Sequence, residues 1–564
     1  METETIEDTD EDYIYQDTAE DLANYIREEL TDVACMWCSA RPEFDWPEDG
    51  CLLIVECPSP GCAFDFTTIL RRRLRGKGIA PSVRLVSRPT LKVEGTASLE
   101  LVPKALHALR TMDYPPTLFR YSDYLVSVGL SGTIDRVKSI GLTNRLALVA
   151  HWRDENGRAI NPPTAIAASI LEQAETLADI PQLDRVVTVP VLDGNGRINT
   201  APGYQADSRT YYMPVLPDLT MPDEVDADDV QWALSYLRDD LLLDFPFTTD
   251  ADFAHALALM LQPFVRDLIR GPTPLYLVDA PKRGTGKSLL AKCLIVPAVG
   301  ESKESPWAGD ESEQRKNIGA VLLEGTGVVL FDNVRGTIKS QVLELVLTST
   351  HYRDRLLGTN ETIDAPVSQT WVMTANNLHI GGDLIRRVVK IRLDAHTDQP
   401  ERRKGPHDGA TWKHTLPGWA YDHRTQLVTA CLALCMWWRQ QGSPTPVIPA
   451  DCTMGGYESW QEVMGGILHA AGVPGFLSNV PDLDASDDEL GQTVATFAAL
   501  LGLPDEFTAA EALAALPACW TQLGVTTAVG AGKWLGQHRD QVAEGMTLRQ
   551  VSRNRQSNAW RIEK

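Results

Sequence analysis

Lys287 and Ser288 directly follow the second glycine of the stretch APKRGTGKSLL (residues 280–290), which comes after the apolar run PLYLVD and begins a helical pattern. Backbone N–H groups at such a helix start surround phosphates, while a lysine reaches the β and γ oxygens and a hydroxyl binds Mg²⁺. Pro281 replaces the first glycine of G-x-x-x-x-G-K-[ST]. We expect it to shape the loop without disabling it, because the phosphate-binding amides come later. The candidate nucleotide-binding residues are Gly284, Thr285, Gly286, Lys287, Ser288 and Leu289.

Polar residues end two later apolar runs. Asp332 ends GVVLFD and is placed to hold the water shell of Mg²⁺, although it could instead cap the strand end. Asn376 ends WVMTAN and is a candidate for orienting the attacking water, although Asn376 and Asn377 also suit a turn. The order of these motifs after the loop favours the catalytic interpretation.

Two adjacent arginines, Arg386 and Arg387, precede the last apolar run in GGDLIRRVVK. One of them is suited to be an arginine finger that acts on the nucleotide of a neighbouring subunit. The other is expected to be a structural ion-pair partner, and the sequence does not say which.

Four apolar runs must position these residues: LYLVDA (275–280), GVVLFDNV (327–334), QTWVMTANN (369–377) and RVVKIRLD (387–394). They are continuous rather than alternating and are joined by helical segments, which is typical of a buried parallel sheet. The sequence therefore predicts an α/β fold with a P-loop core. We expect an α+β region and a helical collar before this core.

The motifs from GPTPLYLVDAPKRGTGKSLLA through LFDNVRG, WVMTANN and GGDLIRRVVKIRLD resemble helicase-type AAA+ ATPases of phages, plasmids and integrated elements. These are related to superfamily 3 helicases and phage primase-helicases. The resemblance covers about residues 230–480. It implies a ring, commonly a hexamer, that uses ATP and Mg²⁺ to move single-stranded DNA through its pore.

Two features depart from this family. Asn333 follows Asp332 where many AAA+ proteins carry a catalytic glutamate, and an amide cannot accept the proton of water. The turn LLGTNETID, which corresponds to the family's pore hairpin, has no basic residue. Lys339, Arg353 and Arg355 lie nearby in the sequence and suit either phosphate contacts or a solvated surface.

The last segment reads as three helices and a hairpin, which predicts a C-terminal winged helix. Residues 533–564 hold seven Lys/Arg against three Asp/Glu. DNA contact, protein contact or a plain basic surface all fit this pattern, and DNA is favoured. Trp534 and Trp560 are expected in the core. The candidate DNA-binding residues are Lys533, Arg539, Arg553 and Arg555, with His538 beside them.

Cysteines near the N-terminus form the pairs CMWC and CPSPGC around a strand-like CLLIVE. Four thiolates on two turns fit a tetrahedral Zn²⁺ site made of Cys35, Cys38, Cys57 and Cys62. The wider second pair and the additional Cys51 fit buried free thiols equally well.

Composition excludes several classes of protein. The chain has no run of about 18 apolar residues and no basic-then-apolar N-terminus, so we expect a cytoplasmic protein without membrane contact. The net charge is −24, but residues 1–22 alone hold ten Asp/Glu and no Lys or Arg, so an acidic disordered tail is expected. The predicted segments are 1–22 (tail), 23–105 (possible zinc ribbon), 106–225 (role unassigned), 226–270 (collar), 271–478 (ATPase) and 490–564 (winged helix).

The function most consistent with these features is an ATP-dependent DNA helicase or translocase that replicates a mobile element. A nucleotide-switched initiator or scaffold with weak hydrolysis is a second hypothesis, motivated by Asn333. An ATPase of a phage-defence system is a third.

Overall fold

The computed structural model describes most of the chain. The described residues are 19–30, 33, 41–45, 52–56, 70, 74, 84–94, 98–113, 116–129, 131–173, 177, 180–198, 200–216, 218–222, 224–301, 303–355, 362–376, 378–406, 411–480, 488–523, 525–539, 542–543, 545–553 and 558–563.

The helices and strands of these residues are numbered separately in chain order. The α-helices are α1 (Ala19–Glu29), α2 (Ser98–Met112), α3 (Ser139–Val149), α4 (Thr164–Leu171), α5 (Ala227–Ser235), α6 (Asp250–Val265), α7 (Lys287–Val299), α8 (Glu311–Glu324), α9 (Gln341–Thr348), α10 (Gly418–Asp422), α11 (Arg424–Gln440), α12 (Glu458–Ala470), α13 (Asp488–Leu500), α14 (Ala509–Ala515), α15 (Pro517–Gln522) and α16 (Ala528–Gln537). The strands are β1 (Glu43–Asp45), β2 (Leu52–Glu56), β3 (Arg84–Val86), β4 (Thr90–Lys92), β5 (Phe119–Tyr121), β6 (Tyr124–Val128), β7 (Ile134–Arg136), β8 (His151–Arg153), β9 (Arg185–Val187), β10 (Gly203–Gln205), β11 (Thr210–Tyr212), β12 (Leu275–Ala280), β13 (Glu304–Ser305), β14 (Val328–Val334), β15 (Thr337–Ile338), β16 (His351–Arg355), β17 (Thr362–Pro366), β18 (Thr370–Asn376), β19 (His379–Ile380), β20 (Val388–Arg392), β21 (Phe507–Thr508), β22 (Val542–Ala543), β23 (Met546–Arg553) and β24 (Asn558–Glu563).

The chain divides into two compact units that interleave in sequence. The first contains residues 1–218, 316–327 and 351–369, and the second contains 219–315, 328–350 and 370–564. Small sheets and the helices α2, α3 and α4 build the first unit, with a core that includes Leu142, Leu146 and Trp152. Residues from the middle of the chain therefore belong to the N-terminal unit.

Two hydrogen bonds attach the later segments of the first unit to its N-terminal part. The Tyr121 hydroxyl donates to the Leu322 carbonyl in α8. The Asp364 N–H of β17 donates to Ser122 Oγ at 3.0 Å. Strands β16 and β17 pair in antiparallel fashion, and residues 356–361 between them, which include most of LLGTNETID, lie outside the described residues.

A five-stranded parallel sheet in the order β13-β14-β18-β12-β20 forms the centre of the second unit. The four apolar runs of the sequence are four of these strands, which confirms the predicted parallel α/β core. The two-residue β13 was not anticipated, because so short a segment carries no periodicity.

Helix α6 is buried along almost its whole length and on all sides. It packs against α7, α11, α12 and the strands β18 and β20, so it has no solvent-facing side that would favour polar residues. A capping box between Thr249 and Asp252 fixes its first turn.

Strand β12 is flanked by β18 and β20, which are later in the chain, while β13 and β14 lie farther out on the β18 side. The chain therefore crosses β12 when it passes from β18 to β20. In open parallel sheets, ligands bind beyond the carboxyl ends of the strands at such a switch point. The loop that follows β12 lies there.

Residues 488–563 fold around their own core, which includes Phe497, Trp520 and Trp560. Strands β21, β24, β23 and β22 form an antiparallel sheet, and α14 packs on α16. Trp560 is buried in this core, as predicted, whereas Trp534 is partly buried and packs edge-on against Trp520 with ring centroids 5.5 Å apart.

No helix among the described residues is long and apolar enough to cross a bilayer.

Candidate nucleotide site

The glycine-rich loop joins the end of β12 to the first residue of α7. Gly286 occupies the N-cap position at φ 108°, and Gly284 has φ 77°, so both adopt backbone conformations that favour glycine. Lys287 and Ser288 are the first two residues of α7. Pro281 follows β12 directly and precedes these glycines, as predicted for a residue at the loop entrance.

Lys287 connects the loop to the neighbouring strand β18. Its Nζ donates to Asn376 Oδ1 at 2.7 Å. Burial lowers the pKa of Lys287, and the nearby carboxylates of Asp279 and Asp332 oppose this shift. A lysine that is largely desolvated yet has a single neutral acceptor retains donors for an anionic ligand.

Asp332 lies within hydrogen-bonding distance of the loop. Ser288 Oγ donates to Asp332 Oδ1 at 2.7 Å, which brings a hydroxyl and a carboxylate oxygen together. Both residues are partly exposed. The residues Lys287, Ser288, Asp332 and Asn376, which are far apart in sequence, thus meet at the carboxyl ends of β12, β14 and β18.

Thr374 is a member of this cluster that the sequence did not reveal. It is fully buried in β18, and its hydroxyl donates to Asp332 Oδ1. Its oxygen also accepts the Asn333 N–H at 2.8 Å. Asn333 itself has an exposed side chain and a left-handed backbone with φ 57°. The only signal in the sequence was an asparagine directly after the aspartate, since asparagine is enriched in this conformation.

A later part of the chain, residues 397–403, packs on the outside of the loop; we refer to it as the covering segment. Lys282 Nζ donates to the Thr397 carbonyl at 3.1 Å and to Asp398 at 2.6 Å. A Cβ on Gly284 would lie 2.7 Å from Glu401 Cβ, so only glycine fits there. Through these contacts the covering segment packs against the outer side of the glycine-rich loop.

The covering segment also reaches the turn of the loop through an arginine. Arg403 Nη2 donates to the Thr285 carbonyl at 3.1 Å, and burial lowers the pKa of Arg403. Thr285 is buried, and its hydroxyl donates to the Lys282 carbonyl at 2.8 Å within the loop.

The two adjacent arginines differ in their surroundings. Arg387 Nη1 lies 3.7 Å from Glu344 Oε2 of α9, and both side chains are partly buried. Arg386 is exposed, and both arginines line a cavity of about 240 Å³ together with Asp383 and Tyr457. The structure therefore assigns the ion pair to Arg387.

The candidate DNA-contacting residues lie on other elements than the residues of this cluster. Arg353 and Arg355 are exposed on β16, and Lys339 is exposed beside β15. Lys533 and Arg539 are exposed on and just after α16, whereas the His538 ring stacks on Trp534 with centroids 3.8 Å apart. Arg553 ends β23, and Arg555 lies outside the described residues.

The predicted zinc ligands Cys35, Cys38, Cys57 and Cys62 also lie outside the described residues. Within the described part of the chain, no group of three or more His, Cys, Asp or Glu side chains is arranged to hold a metal ion. The oxygens of Ser288 and Asp332 nevertheless fit Mg²⁺, which uses one or two carboxylates together with water and substrate phosphates.

No protein-family model and no curated protein sequence matches the chain. Among solved structures, the apo C-terminal region of NrS-1 is similar over 82% of this chain and 100% of its own, at 10% identity and a TM-score of 0.33. Two structures of JCV helicase, one of them with a bound small molecule, each cover 45% of this chain at TM-scores of 0.20. They share 13% and 15% identity and are covered over 72% and 73% of their lengths. At these TM-scores the likeness carries no argument about activity, which must come from the site itself.

Proposed function

We propose that this chain is an ATPase of the helicase or translocase type that acts on DNA in the replication of a phage, plasmid or integrated element. The observation that supports it best is the convergence of Lys287, Ser288, Asp332 and Asn376 at the switch point of the parallel sheet. A lysine, a hydroxyl, a carboxylate and an amide in this order are the groups that phosphoryl transfer requires.

Each of these residues has a distinct task in the proposal. The amides of the loop and Lys287 bind the phosphates, and Lys287 stabilises the negative charge that grows on them. Ser288 and Asp332 are the residues that would hold Mg²⁺, which supplies neutralising charge to the phosphate oxygens when it is bound. Asn376 exchanges its bond to Lys287 for a bond to the attacking water.

The exposed Arg386 supports an assembly of several copies. Because Arg387 is engaged with Glu344, Arg386 is the residue we propose as the arginine that completes the site of a neighbouring subunit. The proposed assembly is a ring, most simply a hexamer. In this assembly each nucleotide site contains residues of two copies.

DNA is the proposed partner. The exposed basic residues on the β16–β17 hairpin and on α16 support phosphate contacts. The order of helices and strands in residues 488–563 supports a winged helix. On its sheet, Arg549 faces Glu563 at 3.4 Å and Arg561 faces Glu506 at 3.0 Å, so these arginines are neutralised locally. Lys533 is therefore the better candidate, and Arg539 is exposed just after α16.

Hydrolysis and unwinding test this function directly. We expect the purified chain to hydrolyse ATP with Mg²⁺, faster with single-stranded DNA, and to separate a forked duplex that carries a fluorophore and a quencher. Lys287→Ala is the inactive control. A chain that binds nucleotide normally but neither hydrolyses nor unwinds would overturn the proposal.

A mixing experiment tests the shared site. Arg386→Ala should lower turnover about 10³-fold, while Arg387→Ala, the matched control, should mainly lower thermal stability. Mixed rings of Arg386→Ala and Lys287→Ala subunits should regain part of the activity, because some interfaces then pair an intact loop with an intact Arg386. Failure of the mixture to regain activity would contradict a site shared between subunits.

A nucleotide-switched initiator or scaffold is the second candidate, because Asn333 stands where a general base is expected. It predicts assembly on DNA that needs ATP but little turnover. Light scattering of assembly, run beside turnover measurements, separates the two functions: a motor cycles ATP many times per assembled ring.

A further inference from the structure

The end of strand β14 contains a bulge beside Asp332. The parallel ladder with β18 is regular from Val328 opposite Thr370 to Phe331 opposite Met373, and it then resumes with Val334 opposite Ala375. One extra residue has therefore been inserted into β14 at this point. Bulges next to active sites commonly re-aim a side chain.

The left-handed conformation of Asn333 makes this bulge possible. At φ 57° most side chains strain the backbone, whereas glycine, asparagine and aspartate tolerate the conformation. The Asn333 side chain is exposed, and its backbone N–H points away from the ladder to Thr374 Oγ1 at 2.8 Å. The backbone N–H of Asn333, rather than its side-chain amide, thus contacts the site.

The Thr374 hydroxyl both accepts and donates a hydrogen bond. Its oxygen accepts from Asn333, and its single proton is donated to Asp332 Oδ1, which also accepts from Ser288. Because the hydroxyl is fully buried, water does not compete for these bonds. Two donors, one in α7 and one in β18, consequently hold the same oxygen of the Asp332 carboxylate.

We infer that Thr374 is a positioning residue that orients the Asp332 carboxylate for the divalent cation, and that position 333 is asparagine because the bulge requires its left-handed backbone. This inference rests on the proposed ATPase function. It also gives a physical reason for the absence of a glutamate after Asp332: a glutamate would strain the bulge that aims the carboxylate.

The first test measures the Mg²⁺ dependence of nucleotide binding in the full chain, by titrating a fluorescent ADP analogue in EDTA and at graded Mg²⁺. Thr374→Val keeps the shape of the side chain but removes the hydroxyl. We expect it to raise the half-saturating Mg²⁺ concentration about tenfold, with binding in EDTA unchanged. Thr374→Ser, the matched control, should restore the wild-type value.

A second set of variants separates the backbone of Asn333 from its side chain. Asn333→Gly tolerates φ 57° and should keep the half-saturating Mg²⁺ concentration within about threefold of wild type. Asn333→Ala and Asn333→Glu should both raise it. If Asn333→Gly raised it as strongly as Asn333→Ala, the side chain would be required and the inference would be wrong.

The outcomes distinguish this inference from the proposed function. A wild-type chain that binds no nucleotide overturns the proposed function. If the wild type binds nucleotide with Mg²⁺ and Thr374→Val shows the same Mg²⁺ dependence, only the inference is overturned. Circular dichroism melting curves check that each variant is folded. If Thr374→Val does not fold, the comparison of Asn333→Gly with Asn333→Ala still tests the inference.

Discussion

The two ends of the parallel sheet carry two polar networks of opposite character. At the amino ends of β12 and β18, Gln262 of α6 donates to Thr370 Oγ1 at 3.0 Å and accepts from the Tyr276 hydroxyl at 2.9 Å and from Trp460 Nε1 at 2.8 Å. All four side chains are buried. This network is closed, because its members satisfy one another.

At the carboxyl ends of the same strands the network is open. Ser288, Asp332 and Asn376 are partly exposed, and Lys287 has donors beyond its one bond to Asn376. The same pair of strands thus holds a network that stabilises the fold at one end and one that can exchange partners at the other. Partial exposure and free hydrogen-bonding capacity together distinguish the candidate site.

The largest effect is expected at the open end. Lys287→Ala should lower ATP turnover about 10²–10³-fold, because a positive charge beside the transferring phosphate is lost. The midpoint of thermal unfolding should change little, because burial already disfavours the charge of Lys287. Parallel turnover and melting measurements check this. If Lys287→Ala destabilised the fold but kept its activity per folded molecule, the carboxyl ends of the strands would hold the stabilising network rather than the candidate site.

At the closed end, a substitution should change stability instead. Gln262→Leu leaves the buried Tyr276 hydroxyl proton without an acceptor and leaves Trp460 Nε1 only its longer bond to that hydroxyl, at 3.3 Å, so the free energy of unfolding should fall by about 2 kcal/mol. Nucleotide affinity of the folded protein should be unchanged. Denaturant unfolding measures the first quantity and ADP titration the second. Gln440→Leu, a surface glutamine that bonds to Val225, is the matched control and should have little effect.

A third prediction concerns His255, which belongs to another closed network. Its Nδ1 lies 2.8 Å from the Lys390 carbonyl and its Nε2 accepts the Leu477 N–H, so the neutral ring satisfies both. Burial lowers the pKa of His255 to about 4, opposed by the Lys390 carbonyl and the charge of Asp252. Between about pH 6.5 and 4 the unfolded chain binds this proton and the folded chain does not. Stability should therefore fall as the pH falls through this window, by at most roughly 3 kcal/mol.

Unfolding by denaturant at several pH values measures the effect of His255. The variant His255→Phe lacks the titrating ring and should show a smaller loss of stability over the same window than the wild type. Equal losses in both proteins would contradict the assignment of this pH dependence to His255.

The smallest effect is expected from the exposed pair on the outside of the loop. Lys282→Ala removes the ion pair with Asp398, which is fully exposed and screened by water and salt, and one bond to the Thr397 carbonyl. Melting curves at low and high salt should show no measurable shift. A clear destabilisation would mean that the covering segment depends on this ion pair rather than on the fit of Gly284 against Glu401.

Continuous apolar runs in the sequence predicted most of the central fold, since four of them are strands of one parallel sheet. They also predicted the members of the open network, because each follows an apolar run and such strand ends meet at one edge. Thr374 could not be found in this way. It is one hydroxyl inside a buried strand, and its partner Asp332 lies at a bulge in the neighbouring strand.

The choice between Arg386 and Arg387 also required the structure. Both precede the same strand, and only the position of Glu344 on α9 separates them. The closed network was missed for a different reason. Gln262 lies within an apolar helix more than a hundred residues before Thr370, and sequence spacing does not reveal such long-range partners.

The strand order has a consequence for synthesis of the chain. β12 is the first strand of the sheet to leave the ribosome, yet both of its neighbours, β18 and β20, come later. At roughly 5–20 residues per second, the interval between Ala280 and Thr370 is about 5–18 s. During this time an apolar strand has unpaired edges that invite association with other chains. A chain that stops before β20 keeps one of these edges open, so truncated products should aggregate before they can bind a nucleotide.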